Sequence, residues 1–222
     1  MMNGYRRERV ATLHKENIMR AAEHLFLEKS FIQTTIQEIS KLSGYSRRTI
    51  YAYFVSKEDI LYHISLQKLL ILQKEVIDII ESAASFREKY EEFCEAMTRF
   101  HQASIQSFNE LGAYGAYGTK DAEGQEPAVI ADIVDSVTVI CTLLAELIEN
   151  GKEQGLVAED VEPAAAGQIL WATISSLLDL IKVKKNYITA GLQMDDKQFL
   201  SYGFHQLLNS LLARRLPSLN GI

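Results

Sequence analysis

Residues 31–61 read FIQTTIQEISKLSGYSRRTIYAYFVSKEDIL, and their spacing decides the fold. Thr35 followed by Glu38 forms a capping box, in which hydroxyl and carboxylate satisfy free backbone amides. Ile36, Ile39 and Leu42 then give a short apolar helical face. Gly44 ends that helix where a left-handed residue is needed. Ser46 caps the next helix, Arg47 to about Tyr53, and Ser56 with Asp59 opens a long one that runs to about Ser82. Two short helices separated by Ser43–Ser46 fit a helix-turn-helix, whose second helix enters the DNA major groove with its N-terminal residues facing base edges. Ile39, Leu42, Ile50 and Phe54 are read as the core of this unit.

Upstream, Ile18, Ala21, Ala22, Leu25 and Phe26 recur at spacings of three and four, which predicts a first helix over Lys15–Lys29. The arm carrying Arg6, Arg7 and Arg9 is expected to be a disordered basic tail. Charge supports a nucleic-acid partner. The 222-residue chain has a net charge of −6, yet residues 1–57 hold ten Lys or Arg against five acids. A basic head on an acidic body meets phosphates with one end only.

Downstream the pattern is helical throughout. Phe86, Tyr90, Phe93, Met97, Phe100, Ser104 and Phe108 define one amphipathic helix that opens with a Ser85–Glu88 capping box. Leu111–Pro127, with four glycines and two tyrosines, reads as a short irregular helix and a mobile loop. Three more helices are expected, from Ala128 to about Asn150 with a stop at Gly151, from Pro163 to about Tyr187, and from Asp195 to about Arg215. With only 3 Pro and no convincing strand, the class is all-α with about nine helices. The longest apolar run, Val137–Ile148, is too short to span a bilayer, and no secretory signal opens the chain. Cys94 and Cys141 stand far apart without a zinc-ligand pattern and read as buried thiols. No metal or other cofactor is expected. No GxSxG, HExxH, P-loop or GxGxxG appears, so a helical enzyme with an appended basic head is the weaker reading, as is a sequence-nonspecific structural DNA-binding protein.

Residues 31–61 also resemble the DNA-binding signature of the TetR family of transcriptional regulators. The matching residues are Thr34, Thr35, Ile36, Ile39, Gly44, Thr49, Ile50, Tyr51, Tyr53, Phe54, Ser56, Lys57 and Glu58, and the likeness extends back to Ile18. Two positions depart from the pattern: Ser30 stands where the family often has glycine, and Arg48 where a small residue is usual. The expected DNA-binding residues are Thr35, Ser46, Arg47, Arg48, Thr49, Tyr51, Tyr53 and Lys57. Arg47 and Arg48 are assigned to base readout, because a guanidinium fits guanine N7 and O6 bidentately. Thr35, Lys57 and the two tyrosines are assigned to phosphates.

The resemblance further implies a helix-turn-helix domain over residues 1–56 and a ligand-binding and dimerisation domain over 57–222. In the second domain the last two long helices would form a four-helix bundle with a second copy. Ile169, Ile174, Leu177, Leu178 and Ile181, with Phe204, Leu207, Leu208, Leu211 and Leu212, supply the apolar faces. The expected partners are operator DNA, a second copy of the chain and a small organic inducer, in the cytoplasm. Candidate pocket residues are Phe93, Met97, Phe100, His101, Ile105, Tyr114, Tyr117 and Trp171, since an apolar cavity with a few polar handles suits such a molecule.

Overall fold

The structure is a computed structural model that describes residues 2–104, 128–183 and 191–213. Eight helices lie among the described residues, against the nine or so expected: α1 Met2–Lys29, α2 Ile36–Ser43, α3 Arg47–Tyr51, α4 Lys57–Glu81, α5 Phe86–Ala103, α6 Ala128–Glu153, α7 Pro163–Val183 and α8 Asp196–Leu211. The irregular helix and loop expected over Leu111–Pro127 fall outside the described residues, as do the candidate pocket residues Ile105, Tyr114 and Tyr117. The only extended pairing among the described residues is an isolated antiparallel bridge between Val157 and Leu212. There Ala158 N donates to Leu211 O at 2.9 Å and Ala213 N to Leu156 O at 2.9 Å, tying the end of α8 to the α6–α7 connection.

The chain divides into two compact units. The first contains residues 2–70, 103–104 and 128–135. Its core is Ile18, Met19, Ala22, Phe26, Phe31, Ile39, Ile50, Phe54, Ile60, Leu61, Tyr62, Ile64 and Val129. The expected stripe on α1 is thus the buried one. Two expectations change. α1 begins at Met2, so the backbone of the Arg6–Arg9 stretch is helical rather than a loose tail. Leu42 is 51% exposed and leaves the core. At about 100° per residue, each three-residue step turns back by about 60°, which carries Leu42 some 120° round the helix from Ile36 and off the buried side.

The second unit contains residues 71–102, 136–183 and 191–213. Its buried side chains include Phe86, Tyr90, Phe93, Met97, Leu144, Ile174, Leu178 and Leu208. Tyr90 Oη reaches across to donate to Phe204 O at 2.8 Å. The Ser85–Glu88 capping box opens α5 as expected. Gly151 does not stop α6, which continues to Glu153, and Gly155 takes the left-handed turn at φ 67° instead. Gly151 serves packing: a Cβ there would lie 2.7 Å from Val157 Cγ2 and 3.0 Å from the Phe86 ring. Gly167 plays the same part where α7 crosses α6, since a Cβ would come within 2.7 Å of Cys141 O. Both thiols are buried, and burial pushes Cys94 up to about 12 and Cys141 up to about 11.

The apolar run bounded at Val137–Ile148 in the sequence proves longer, because Val129, Ile130, Ile133 and Val134 extend it along α6. By length and composition alone, Ala128–Glu153 and Pro163–Lys182 are long and apolar enough to cross a membrane. Part of that apolar surface is solvent-facing in the single chain, with Val134 56% and Ile169 59% exposed.

Candidate nucleic-acid interface

α2, the turn and α3 form the helix-turn-helix. Thr35 caps α2 with its side chain accepting from Glu38 N, and Glu38 Oε2 accepts from Thr35 N at 3.0 Å and from Thr35 Oγ1 at 2.8 Å. Lys29, at the end of α1, pairs with the same carboxylate. The Lys29 hydrogen bond first, then those from Thr35, hold Glu38 down at about 2. Gly44 ends α2 at φ 76°, as the sequence requires. Ser46 caps α3, with Oγ accepting from Thr49 N at 3.1 Å and lying 2.8 Å from Thr49 Oγ1.

This cap leaves Arg47 and Arg48 on the first turn of α3, both exposed and with no ion-pair partner among the described residues. Tyr51 follows on the same short helix, 55% exposed. Behind them Ile50 is fully buried and Phe54 is 1% exposed, so α3 is anchored from below by two apolar side chains. The head therefore presents two guanidiniums and a phenol on a fixed five-residue helix, an arrangement suited to base edges and backbone phosphates.

The remaining candidates are bound into the head itself. Tyr53 Oη lies 3.0 Å from His14 Nδ1, with the two rings edge-on at 5.9 Å. Thr35 shares its hydroxyl proton with Glu38. Lys57 Nζ donates to Phe31 O at 2.8 Å and Thr34 O at 2.9 Å, and lies 4.2 Å from the centre of the Phe31 ring. It closes the α1–α2 connection with a cation that satisfies two carbonyls. Thr34, 1% exposed, donates to Ser30 O at 2.8 Å in the same connection.

Three contributors, His14, Asn17 and Tyr45, were not singled out from the sequence. His14 stacks obliquely on Tyr45 with ring centres 4.8 Å apart, and Asn17 Nδ2 donates to Tyr45 Oη at 3.3 Å, so α1 holds the turn residue before Ser46. Polar residues spaced by three on a half-buried side of α1 were the available signal. Asp59, 5% exposed, caps α4 in an altered form. Its amide donates to Ser56 Oγ at 3.1 Å, but its carboxylate accepts from Val55 N at 2.9 Å. Asp59 also faces His63 at 3.2 Å. Burial alone would lower His63, but hydrogen bonds to Asp59 outweigh it and raise the imidazole above its usual value.

In the second unit Phe93, Met97, Phe100, His101 and Trp171 are all buried. The structure places the first four on one side of α5, with the Phe100 and His101 rings edge-on at 5.4 Å.

Residues 18–64 match the family model described as bacterial regulatory proteins, tetR family. No curated protein sequence matches significantly. Solved structures of like fold include the fatty acid degradation regulator FadR of Bacillus halodurans, 20% identical, covering 90% of this chain and 97% of that one with a TM-score of 0.62. The FadR repressor of Thermus thermophilus, in complex with lauroyl-CoA, is 24% identical over 93% of this chain and 100% of that one, TM-score 0.59. The repressor SmeT of Stenotrophomonas maltophilia, in complex with triclosan, is 17% identical over 95% and 98%, TM-score 0.61. A helix-turn-helix with two outward guanidiniums and a family match over that same segment lead to one conclusion: residues 18–64 form a DNA-binding segment of the tetR type of bacterial regulatory proteins, carried on a helical fold like that of the solved regulators.

Proposed function

We propose that this protein is a cytoplasmic transcriptional repressor, not an enzyme, that binds a near-palindromic operator as a homodimer and releases it when a small organic inducer occupies the second unit. In this reading residues 1–56 read DNA, while 57–222 bind ligand and dimerise. The observation that carries it is the state of the polar groups on the head. Thr35, Tyr53 and Lys57 are engaged internally, whereas Arg47 and Arg48 stand in solvent on the first turn of α3. Exposed like charges on adjacent residues gain nothing for the fold, and their gain comes from an anionic partner. The relatives solved with lauroyl-CoA and triclosan support an apolar organic ligand, as do the buried aromatic residues of α5. α4, like α6, contributes residues to both units and leads directly out of the helix-turn-helix, which makes it an element through which inducer binding would shift the population of DNA-competent dimers.

Fluorescence anisotropy with the chain's own upstream DNA and with random duplex, at physiological salt, tests the assignment. Specific DNA should be preferred by about a thousandfold or more. Arg47→Ala with Tyr51→Ala should cut specific affinity roughly tenfold to a hundredfold while leaving the thermal midpoint unchanged, since both side chains are exposed. Unchanged operator affinity in this folded double variant removes the proposal.

A further inference from the structure

A groove of about 750 Å³ opens between α5 and α8 in the second unit, on the stripe of α5 next to that of Phe93 and Met97. That volume suits a small organic molecule. The floor is apolar, with Tyr90, Cys94, Leu200 and Leu208 all buried. Tyr90 Oη donates to Phe204 O, and burial pushes both the Tyr90 phenol and the Cys94 thiol up, so the floor carries no charge at neutral pH. The two walls differ in what they leave free. On α5, Glu91 pairs with Arg87 at 3.8 Å and Glu95 with Arg99 at 3.8 Å, while Arg99 also holds Glu75. Thr98 Oγ1 donates to Cys94 O at 2.8 Å. On α8, Lys197, Ser201 and His205 line the groove at a spacing of four, one above the other. None of these three side chains has a hydrogen-bond or ion-pair partner among the described residues, whereas Asp196 beside them has an interaction of its own. The α8 wall therefore offers an unpaired cation and a hydroxyl donor one turn apart above an apolar floor.

We propose that this groove is a binding site for organic acids, with an apolar body over Tyr90, Cys94, Leu200 and Leu208 and a carboxylate accepting from Lys197 Nζ and Ser201 Oγ, and that the inducer belongs to this class. The assignment rests on the reading of the second unit as ligand-binding. Side chains four apart on a helix stand about 5–6 Å apart at Cβ, a span that the two oxygens of one carboxylate bridge. A hydrogen bond between charged partners is the stronger kind, and the apolar floor strengthens it by keeping water from one side. An alcohol of the same body gains the floor but not the ion pair. An ammonium meets Lys197 with like charge, and the carboxylates that face it from α5 are already paired and exposed to solvent.

Full-length protein and three molecules that share one body, phenylhexanoate, phenylhexanol and phenylhexylamine, test this by calorimetry. The acid should bind roughly threefold to thirtyfold more tightly than the alcohol, with the amine weakest. Lys197→Met, at an exposed position, should bring the acid down to the affinity of the alcohol. Ser201→Trp, also at an exposed position, should fill the groove and weaken all three. Circular dichroism checks that both variants keep their helices. Equal binding of the three heads, a preference for the amine, no binding of any, or an acid affinity that neither variant lowers overturns the site. Operator release is read separately by anisotropy. An acid that binds with the expected preference yet releases no DNA supports the groove and counts against the inducer reading, whereas release by the acid that persists undiminished in both variants does the reverse.

Discussion

Ser30 follows α1 with φ 80°, a left-handed conformation that non-glycine residues adopt at a cost of about 1–2 kcal/mol. Its carbonyl accepts from Thr34 Oγ1 and its amide donates to Phe26 O, so the surrounding bonds hold it there. The glycine that the family pattern has at this position would relieve the strain, offset in part by the greater freedom of glycine in the unfolded chain. Ser30→Gly should therefore raise stability by about 0.5–1 kcal/mol in urea denaturation, with operator affinity unchanged. Lys57 gives a second expectation. Lys57→Met keeps an unbranched chain over Phe31 but strips two carbonyls of their donor, and should cost about 1–3 kcal/mol. If Lys57 instead served a phosphate, the salt dependence of DNA binding would fall by about one unit of slope. An unaltered slope with lowered stability is the expected outcome. The sequence shows that a lysine stands at the start of α4 but not which way its Nζ turns. That choice depends on Phe31 and Thr34, 26 and 23 residues away.

At the scale of elements, the features set by local interactions are legible in the sequence. The caps at Thr35, Ser46 and Ser85, the glycine stop at Gly44 and the buried stripe of α1 follow from interactions within one turn of helix. Gly151 misled, because glycine marks a helix end only where backbone freedom is its purpose. Here it lets Val157 and Phe86 approach, a tertiary fact invisible in a local window. Gly167 is the sharper case. In the interior of α7 a glycine costs about 1 kcal/mol relative to alanine on helix propensity alone, so Gly167→Ala should stabilise if propensity rules. A Cβ there would sit 2.7 Å from Cys141 O and 3.2 Å from Ala145 N, and both are helix backbone that cannot swing aside. The expected result is a net loss of about 1–3 kcal/mol in chemical denaturation. A gain in stability would mean that α6 and α7 do not cross this closely.

At the scale of the whole molecule, the distribution of apolar surface bears on assembly. The faces that the sequence gathers on α7 and α8 divide in the single chain: Ile174, Leu178, Leu208 and Leu211 are buried, while Ile169 is 59% and Tyr202 56% exposed. Gly203 brings α8 close enough that a Cβ would meet Leu177 at 2.9 Å, so the two helices are already packed and their outer sides are left over. A groove lined by Val161, Ala165, Ile169, Leu170, Leu207 and Leu211 runs along that outer side. Periodicity predicts that both helices are amphipathic but not how much of each stripe one chain covers, because burial depends on a partner the sequence does not contain. If the surplus is the contact between two copies, Ile169→Glu places a charge in an apolar interface and loses both the buried side chain and the desolvation of its carboxylate. The variant should sediment as a monomer at micromolar concentration with its helical circular dichroism intact. Operator affinity should then fall far more than for a single lost contact, since each head alone holds one half-site and forfeits the effective concentration of its twin. A variant that stays dimeric and keeps full affinity would move the interface away from α7.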